Sequence, residues 1–249
     1  MRKFSLFLTQ FVFLFSLSCG KASESSLPSI YNGSIDTEHD SVGLLVLDGK
    51  LWCSASLIGQ KTALSAAHCF EKKTHQPNDL YLRFNNVDVK VLEVIIHPRY
   101  GDWFGRVTHD VAVLKLENII NIPIIPLASK APIPGETAIL VGFGYTDAKL
   151  KESMDGTKRT GRSIVGKVES NRVFFPEPKD EGMSQTCKGD SGAPIFSFHD
   201  EQKTQIAIVS GSMDGKASKT CQIESYGARI DAYIEWIIET AEGDAVIAD

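Results

Sequence analysis

Short apolar or alternating segments separated by turn residues constrain this chain more than any other feature of its sequence. They cover residues 42–47, 51–58, 63–67, 80–84, 87–96 and 111–116 in the first half of the chain, and 138–143, 163–168, 195–198, 206–209 and 226–230 in the second. Each segment is short for a helix, and the regular spacing is typical of β-sandwiches and β-barrels. We therefore expect an all-β fold.

A proline-rich segment, residues 121–136, separates the two series of predicted strands. It contains Pro123, Pro126, Pro132 and Pro134. Proline lacks the backbone N–H that a sheet ladder requires, so we interpret this segment as a crossing between two β units.

The C-terminal end carries the pattern of a helix. Ile230, Ile234, Ile237 and Ile238 recur at helical spacing. We expect the apolar stripe of this helix to pack onto the rest of the fold, and the tail after Gly243 to fray.

The N-terminus has the layout of a secretory signal peptide. Arg2 and Lys3 precede an apolar run over residues 4–17, and small residues follow it. The run is too short to span a bilayer comfortably. Residues 1–18 are therefore predicted to be a signal peptide and residues 19–29 a spacer or propeptide, and export makes disulfides possible.

Cys19 lies just after the predicted signal peptide, in a Ser-Cys-Gly sequence similar to the lipobox of bacterial lipoproteins. The lipobox favours Leu three residues before the Cys, where this chain has Ser16. We favour lipidation of Cys19, because an unpaired Cys in an exported chain needs an explanation. The alternative is cleavage nearby, with Cys19 left as a free thiol or removed.

The charge distribution argues against nucleic acid as a partner. The formal net charge is -5, and a phosphate-binding face needs clustered cations. One basic run holds five cations interrupted by Asp147, Glu152 and Asp155, and we interpret it as a solvated loop. Its cations are Lys149, Lys151, Lys158, Arg159 and Arg162.

Three segments carry the residue types that acyl transfer by a serine requires, namely a nucleophile, a general base, a carboxylate that orients the base, and oxyanion donors. His68 ends an apolar run of small residues in ALSAAHC, and Asp110 begins a predicted buried strand in HDVAVLKL. Ser191 lies in GDSGAP, whose backbone N–H groups can point at one spot. Taken singly, a Ser in GDSG is more often part of a turn and a buried Asp a structural acceptor.

These segments occur in the order of the trypsin/chymotrypsin-like serine peptidases, and the sequence resembles that family from about residue 30 to residue 240. VIIHPRY, VGFGY and AYIEWI resemble further blocks of the family. The resemblance implies two six-stranded antiparallel β-barrels, a cleft between them that holds the active site, and a C-terminal helix. The corresponding divisions are 30–125 for the first barrel, 126–230 for the second, and 231–249 for the helix and tail.

The resemblance implies a catalytic triad. His68 would be general base and then general acid, Asp110 its orienter and Ser191 the nucleophile, and the backbone N–H groups of Gly189 and Ser191 would form the oxyanion hole. The other histidines lack metal-ligand spacing and are interpreted as solvated or structural, so we expect no metal site and no cofactor. They are His39, His75, His97, His109 and His199.

The resemblance also implies two disulfides, Cys53 to Cys69 and Cys187 to Cys221. By loop entropy each would contribute about 3 to 4 kcal/mol. Cys19 is then left over, as a lipidated Cys would be.

Gln185 occupies the position that the resemblance assigns to the floor of the specificity pocket. Trypsin-type members have an Asp there that pairs with a substrate Arg or Lys. Ser212 and Ser225 are interpreted as replacing glycines of the pocket walls. We therefore expect a narrow pocket for a small or medium-sized side chain that is uncharged or polar.

Ile30 begins a segment, IYNG, that resembles the mature N-terminus of the family. There a freed isoleucine ammonium pairs with the Asp before the nucleophile, here Asp190. The usual cut follows Arg or Lys, whereas Ser29 precedes Ile30. Either another protease makes the cut, or the chain does not mature this way. If Cys19 is lipidated, the cut would release a soluble enzyme from the membrane.

The sequence therefore predicts an exported, monomeric bacterial serine endopeptidase that acts on proteins or peptides, is not trypsin-like in specificity, and is activated by a protease. We expect it in the periplasm or outside the cell, lipid-anchored to the outer membrane before activation. One alternative is a catalytically silent homologue that acts as an exported binding or adhesion module. Another, a lipid-anchored structural protein of the envelope, leaves the ordered motifs unexplained.

Overall fold

The computed structural model describes residues 30–71, 79–103, 106–145, 154–180, 182–213 and 220–248 of the 249-residue chain. Nearly all regular structure in these ranges is β-strand, which confirms the predicted all-β class. The strands are β1 Ser34–Ile35, β2 Val42–Leu47, β3 Lys50–Leu57, β4 Thr62–Ser65, β5 Leu80–Phe84, β6 Val87–Ile96, β7 Gly101–Trp103, β8 Arg106–Thr108, β9 Ala112–Leu116, β10 Thr137–Gly142, β11 Arg159–Ile164, β12 Arg172–Phe175, β13 Pro194–His199, β14 Gln202–Ser212 and β15 Ser225–Arg229. Short 3₁₀ turns lie at Ala67–Cys69 and Asp231–Tyr233, and the helix α1 spans Ile234–Ala241.

The first β unit is a closed barrel in the strand order β2, β3, β4, β9, β6, β5. Every pair in it is antiparallel. Its interior is filled by large aliphatic side chains that are fully buried, among them Leu45, Leu57, Leu64, Leu82 and Leu114. Burial of each such side chain contributes roughly 1.5 to 3 kcal/mol, so this core anchors the loops that leave the barrel.

The second β unit is a sheet of seven strands in the order β1, β11, β10, β13, β14, β15, β12. Six strands come from the second half of the chain, and β1 joins them from residues 34–35, which precede the first barrel. The segment after β11 pairs with β12, because Gly166 N–H donates to the Phe174 carbonyl and Phe174 N–H donates to the Lys167 carbonyl. The sheet therefore curls back on itself as a barrel does.

The helix and the tail pack against the first barrel, although they follow the second sheet in the sequence. Ile237 and Tyr233 belong to the core of the first barrel. The tail is also bound, since Val246 N–H donates to Ile58 and the Asp244 carboxylate accepts two backbone N–H bonds from Gln60 and Lys61. The expectation of a frayed tail is therefore wrong for residues 244–248, whose partners lie far away in the sequence. No helix within the described ranges is long and apolar enough to cross a membrane.

The interpretation of the basic run as a solvated loop is wrong for two of its cations. Lys158 is 8% exposed and Arg159 is 4% exposed. The Lys158 ammonium donates to the His39 carbonyl at 2.6 Å and lies 3.6 Å from the Asp36 carboxylate, whereas Arg159 pairs with Asp155 at 2.8 Å. Both cations can be buried because each has an acceptor for its charge. The acceptors of Lys158, which are Asp36 and the His39 carbonyl, lie far from it in the sequence. Lys149 and Lys151 lie outside the described residues.

Substitution of Lys158 by Ala should destabilise the fold strongly. The variant would leave the buried Asp36 carboxylate and the His39 carbonyl without their cation, and breaking a buried pair in this way costs about 3 to 5 kcal/mol. The matched control is Lys167→Ala, because Lys167 pairs with Glu169 on the surface and such pairs contribute about 0 to 1 kcal/mol. Urea denaturation of both variants measures the difference, and equal losses would contradict this account of Lys158.

Candidate active site

His68 lies on the 3₁₀ turn that follows β4, between the buried residues Ala67 and Cys69. The sequence predicted it at the end of the strand itself. A disulfide joins Cys69 to Cys53 on β3, and the Trp52 indole N–H donates to the Cys69 carbonyl at 2.7 Å. The turn is therefore fixed to the neighbouring strand, and the imidazole projects from it with a quarter of its side chain exposed (25%).

Asp110 lies just before β9 and is 2% exposed. Its Oδ1 accepts the backbone N–H of His68 at 2.8 Å, and its Oδ2 lies 2.7 Å from His68 Nδ1. The Ser210 hydroxyl also donates to Oδ2. The carboxylate therefore holds both the backbone and the ring of His68.

Ser210, on β14, is a residue of this site that the sequence analysis missed. No periodicity or spacing distinguishes it from the other serines of the chain. Its contact with Asp110 joins residues 100 positions apart, so only the packing of the second sheet against the first barrel brings them together.

Ser191 completes the chain of contacts, because its Oγ lies 2.8 Å from His68 Nε2. If Nδ1–H donates to Asp110, Nε2 is free to accept the serine proton. The Ser191 carbonyl accepts the N–H of Ser54 on β3 at 2.8 Å. The loop that carries Ser191 is thus tied to the first barrel, and the three predicted catalytic side chains meet between the two β units.

The backbone N–H groups around Ser191 fall into two classes. Those of Asp190, Gly192 and Ala193 donate to carbonyl oxygens, whereas those of Gly189 and Ser191 have no acceptor among the described residues. Gly189 has φ +93°, and a Cβ there would lie 2.9 Å from Gly144 Cα. The left-handed backbone and the close approach both require glycine at this position.

The charge of Asp110 sets the protonation of His68. Burial disfavours the imidazolium, but the Asp110 charge and its hydrogen bond outweigh burial and raise the pKa of His68 above its usual value of 6.5. The ring is consequently a stronger base toward Ser191 than a solvated histidine.

The Asp190 carboxylate is fully buried beside the nucleophile. It accepts N–H bonds at 2.8 Å from Gly144 and Cys187, and a Cβ on Gly142 or Gly144 would overlap it. Burial raises the pKa of Asp190 to about 7, although these bonds and the charge of Arg159 act in the opposite direction. No salt bridge to this carboxylate forms in the part of the chain that the structure describes.

Ile30 is fully buried in the core of the second sheet and is not paired with Asp190. Its φ is +55°, a region that β-branched residues rarely occupy. Gly161 makes room for it, since a Cβ there would lie 2.8 Å from Ile30 Cγ2. The first residue of the predicted mature chain therefore lies in the second β unit, with a strained backbone.

The Gln185 side chain is buried and its amide is saturated with hydrogen bonds. Nε2 donates to the carbonyls of Phe175 and Pro176 at 3.1 and 3.0 Å, while Oε1 accepts from Thr186 N–H at 2.9 Å and from the Ser225 hydroxyl at 2.6 Å. An amide has two donor positions and two main acceptor positions, and all four are used. The Gln185 side chain therefore has no free donor or acceptor with which to bind a substrate. It acts here as a cross-link between strands.

The predicted wall residues Ser212 and Ser225 face each other across β14 and β15. Ser225 is buried and bonded to Gln185, and Ser212 is partly exposed. A disulfide joins Cys187 to Cys221 next to them, so both disulfide pairs that the resemblance implied are formed. Cys19 and His75 lie outside the described residues.

The trypsin family model matches residues 30–237 of this chain. Among curated proteins, coagulation factor XI of Bos taurus is 26% identical over 217 residues, which cover 77% of this chain and 33% of that protein. The serine protease snk of Drosophila melanogaster is 23% identical, covering 78% of this chain and 50% of that protein. Vitamin K-dependent protein C of Rattus norvegicus is 25% identical, with 84% and 51% covered. The chain thus spans between a third and about half of the length of these relatives.

A solved structure with a similar fold is neuropsin, a serine protease expressed in the limbic system of mouse brain. It superposes with a TM-score of 0.69 at 21% identity, covering 84% of this chain and 98% of that one. The family match extends over both β units and includes His68, Asp110 and Ser191. The chain therefore belongs to the trypsin family of serine proteases.

Proposed function

We propose that this protein is a serine endopeptidase that cleaves peptide bonds through an acyl-enzyme. The observation that carries the proposal is the continuous line of contacts from Asp110 through His68 to Ser191, with distances of 2.7 and 2.8 Å. Each atom in this line has the partner that its role requires.

In the proposed first step, Ser191 Oγ attacks the carbonyl carbon of the substrate while His68 Nε2 takes the serine proton. The Asp110 carboxylate stabilises the imidazolium. The N–H groups of Gly189 and Ser191, which have no acceptor in the described part of the chain, supply the donors that the oxyanion needs. His68 then gives its proton to the leaving amine, the C–N bond breaks, and an acyl-enzyme remains.

In the second step, His68 takes a proton from a water molecule, and the resulting hydroxide attacks the acyl carbon. As the tetrahedral species collapses, the bond to Ser191 Oγ breaks, His68 gives its proton to that oxygen, and the acid product leaves.

We further propose that a cut before Ile30 activates the enzyme. Two observations support it: the buried Asp190 carboxylate forms no salt bridge with any residue that the structure describes, and Ile30 has a strained φ of +55°. The torsion φ of Ile30 is defined through its bond to the carbonyl carbon of Ser29. Hydrolysis of the Ser29–Ile30 bond therefore removes that constraint and leaves an ammonium group on the backbone nitrogen of Ile30. An ammonium that reached Asp190 would stabilise the loop on which Gly189 and Ser191 lie.

We infer that the chain is exported and that it remains tethered through a lipid on Cys19 until the cut. The signal-like residues 1–18 and the two disulfides support export, because disulfides persist in oxidising compartments. In this proposal residues 19–29 are the spacer or propeptide that the cut removes.

Labelling with a fluorophosphonate probe tests the proposed chemistry. The processed wild-type protein should label, and Ser191→Ala should neither label nor hydrolyse peptides, with a rate loss on the order of 10⁶-fold. The control variant is Ser170→Ala, at an exposed serine away from the triad, which should label like the wild type. Absence of labelling in protein whose N-terminus is Ile30 would favour the catalytically silent binding module.

Substrate preference should exclude Arg and Lys before the cut bond. The floor residue Gln185 carries no charge and has no free hydrogen-bonding group, so a buried substrate cation would be left unpaired. Cleavage after small or medium-sized uncharged residues should exceed cleavage after Arg and Lys by about tenfold or more. A peptide-library screen read by mass spectrometry measures this ratio, and equal or faster cleavage after Arg or Lys would contradict it.

The uncut chain should lose stability as pH rises from about 4 to 7. Over this window the unfolded chain has lost the Asp190 proton, since the ordinary pKa is 3.8, whereas the folded chain retains it up to about 7. Unfolding free energies of the uncut Ser191→Ala protein measure the slope, and Asp190→Asn should remove the part of it that Asp190 contributes between about pH 4 and 7. Asp200→Asn, at an exposed carboxylate, should keep it. An unchanged slope in Asp190→Asn would contradict the attribution of the pH dependence to Asp190.

A further inference from the structure

A cavity of about 550 Å³ lies where the N-terminal segment, residues 30–39, crosses the second sheet, and the proposed function does not use it. Volumes of this size are typical of small-molecule sites. Its lining comes from the N-terminal segment, from β10 and β11, from the hairpin of β13 and β14, and from the loop residues Gly182 and Ser184. The lining residues are Asn32, Gly33, Ser34, Glu38, His39, Ile139, Thr160, Gly161, Arg162, Gly182, Ser184, Phe198 and Lys203.

Two cations point into this cavity from the same face of the sheet. Arg162 is opposite Ile139 in the pairing of β11 with β10, and Lys203 is opposite Phe198 in the pairing of β14 with β13. Directly opposed residues of antiparallel strands project to one face. Ile139 is opposite Phe196, which lies two positions before Phe198, so all of these side chains share that face.

A buried pair holds the Lys203 ammonium in position. Lys203 Nζ lies 3.0 Å from His39 Nε2, and His39 Nδ1 lies 2.5 Å from Asp36 Oδ2. His39 is 3% exposed and its ring stacks on Phe196 at 5.3 Å. The imidazole accepts from Lys203 and donates to Asp36. One N–H of the ammonium is thus fixed, and the other two have no hydrogen-bond acceptor among the described residues and can bind a ligand.

The charges of the cavity select a monoanion. Neither Lys203 nor Arg162 forms a salt bridge with any residue that the structure describes, and Glu38 at the rim is the carboxylate among the lining residues. Two cations and one carboxylate leave one positive charge to be neutralised. Phe198 is 52% exposed and supplies an apolar wall beside Lys203.

We propose that this cavity binds a carboxylate ligand with an apolar body, and that its occupancy stabilises the docked N-terminal segment. Five of the thirteen lining residues belong to that segment, so the cavity exists only while the segment is docked. The same segment is held at Ser184 and Gln185, since Ser184 Oγ donates to the Asn32 carbonyl at 3.0 Å and Gln185 N–H donates to the Tyr31 carbonyl at 3.1 Å. A ligand that binds only the docked state shifts the population toward it.

This coupling gives the cavity a regulatory role, and that role rests on the proposed function. Ile30 begins the docked segment, and Gln185 lies in the loop that leads to Ser191. Ligand binding itself does not depend on catalysis. The carboxylate can belong to a free small acid or to the C-terminal residue of a peptide, since both present the same group on an apolar body.

Binding measurements on the full-length Ser191→Ala protein test the proposal without requiring activity. Benzoate represents the free acid and N-acetylphenylalanine the peptide end, and their neutral partners are benzamide and N-acetylphenylalaninamide. Calorimetry should show one site for at least one acid, with affinity about tenfold higher than for its amide because charge-assisted hydrogen bonds are lost in the amide. The acid that binds more tightly shows whether the ligand class is a free small acid or the C-terminal residue of a peptide.

Variants locate the site. Lys203→Gln and Arg162→Gln should each weaken acid binding by about tenfold, whereas Lys130→Gln, which removes an exposed lysine paired with Asp200, should not. Hydrogen exchange of residues 31–39 should slow when the acid is bound. Equal binding of acid and amide, unchanged binding in both variants, or unchanged exchange would overturn the proposal, while failure of Ser191 labelling in the wild type would count only against the proposed function.

Discussion

The Asp110 carboxylate is the buried charge around which the two β units meet. It accepts the backbone N–H and the ring N–H of His68 from the first barrel and the hydroxyl of Ser210 from the second sheet. A carboxylate that is 2% exposed would be costly to bury without such donors. Satisfying it therefore requires the turn after β4, the start of β9 and the C-terminal part of β14 to converge. That convergence also sets the orientation of His68 toward Ser191.

The N-terminal segment forms a second link between the halves of the molecule. It leaves Ile30 in the core of the second sheet, adds β1 to that sheet, and places His39 against Phe196, Lys158 and Lys203. Two of its titratable side chains, Asp36 and His39, are buried with partners, whereas Glu38 is exposed. In the activation that we propose, this segment would transmit a change at its first residue to the loop of Asp190, because Tyr31 and Asn32 are hydrogen-bonded to Gln185 and Ser184.

Much of the fold could be predicted from the sequence because period-two patterns are local. The runs at 42–47, 80–84 and 87–96 became strands with the same bounds. β12 was not predicted, because Arg172–Phe175 is too short to display a period. β11 was predicted to begin at residue 163 but begins at Arg159, because its first residues are polar. The second sheet also contains β1, a two-residue strand that no sequence pattern marks.

The sequence by itself determined the fold class, the order of the His, Asp and Ser segments and the crossing between two β units, since each depends on local composition or spacing. Tertiary structure decided what those residues contact. It brought Ser210 to Asp110, saturated Gln185 with four hydrogen bonds, buried Lys158 against Asp36 and His39, and left the N–H groups of Gly189 and Ser191 without acceptors among the described residues. Burial and hydrogen-bond partners at long sequence separation arise only when the chain is folded, so no local pattern encodes them.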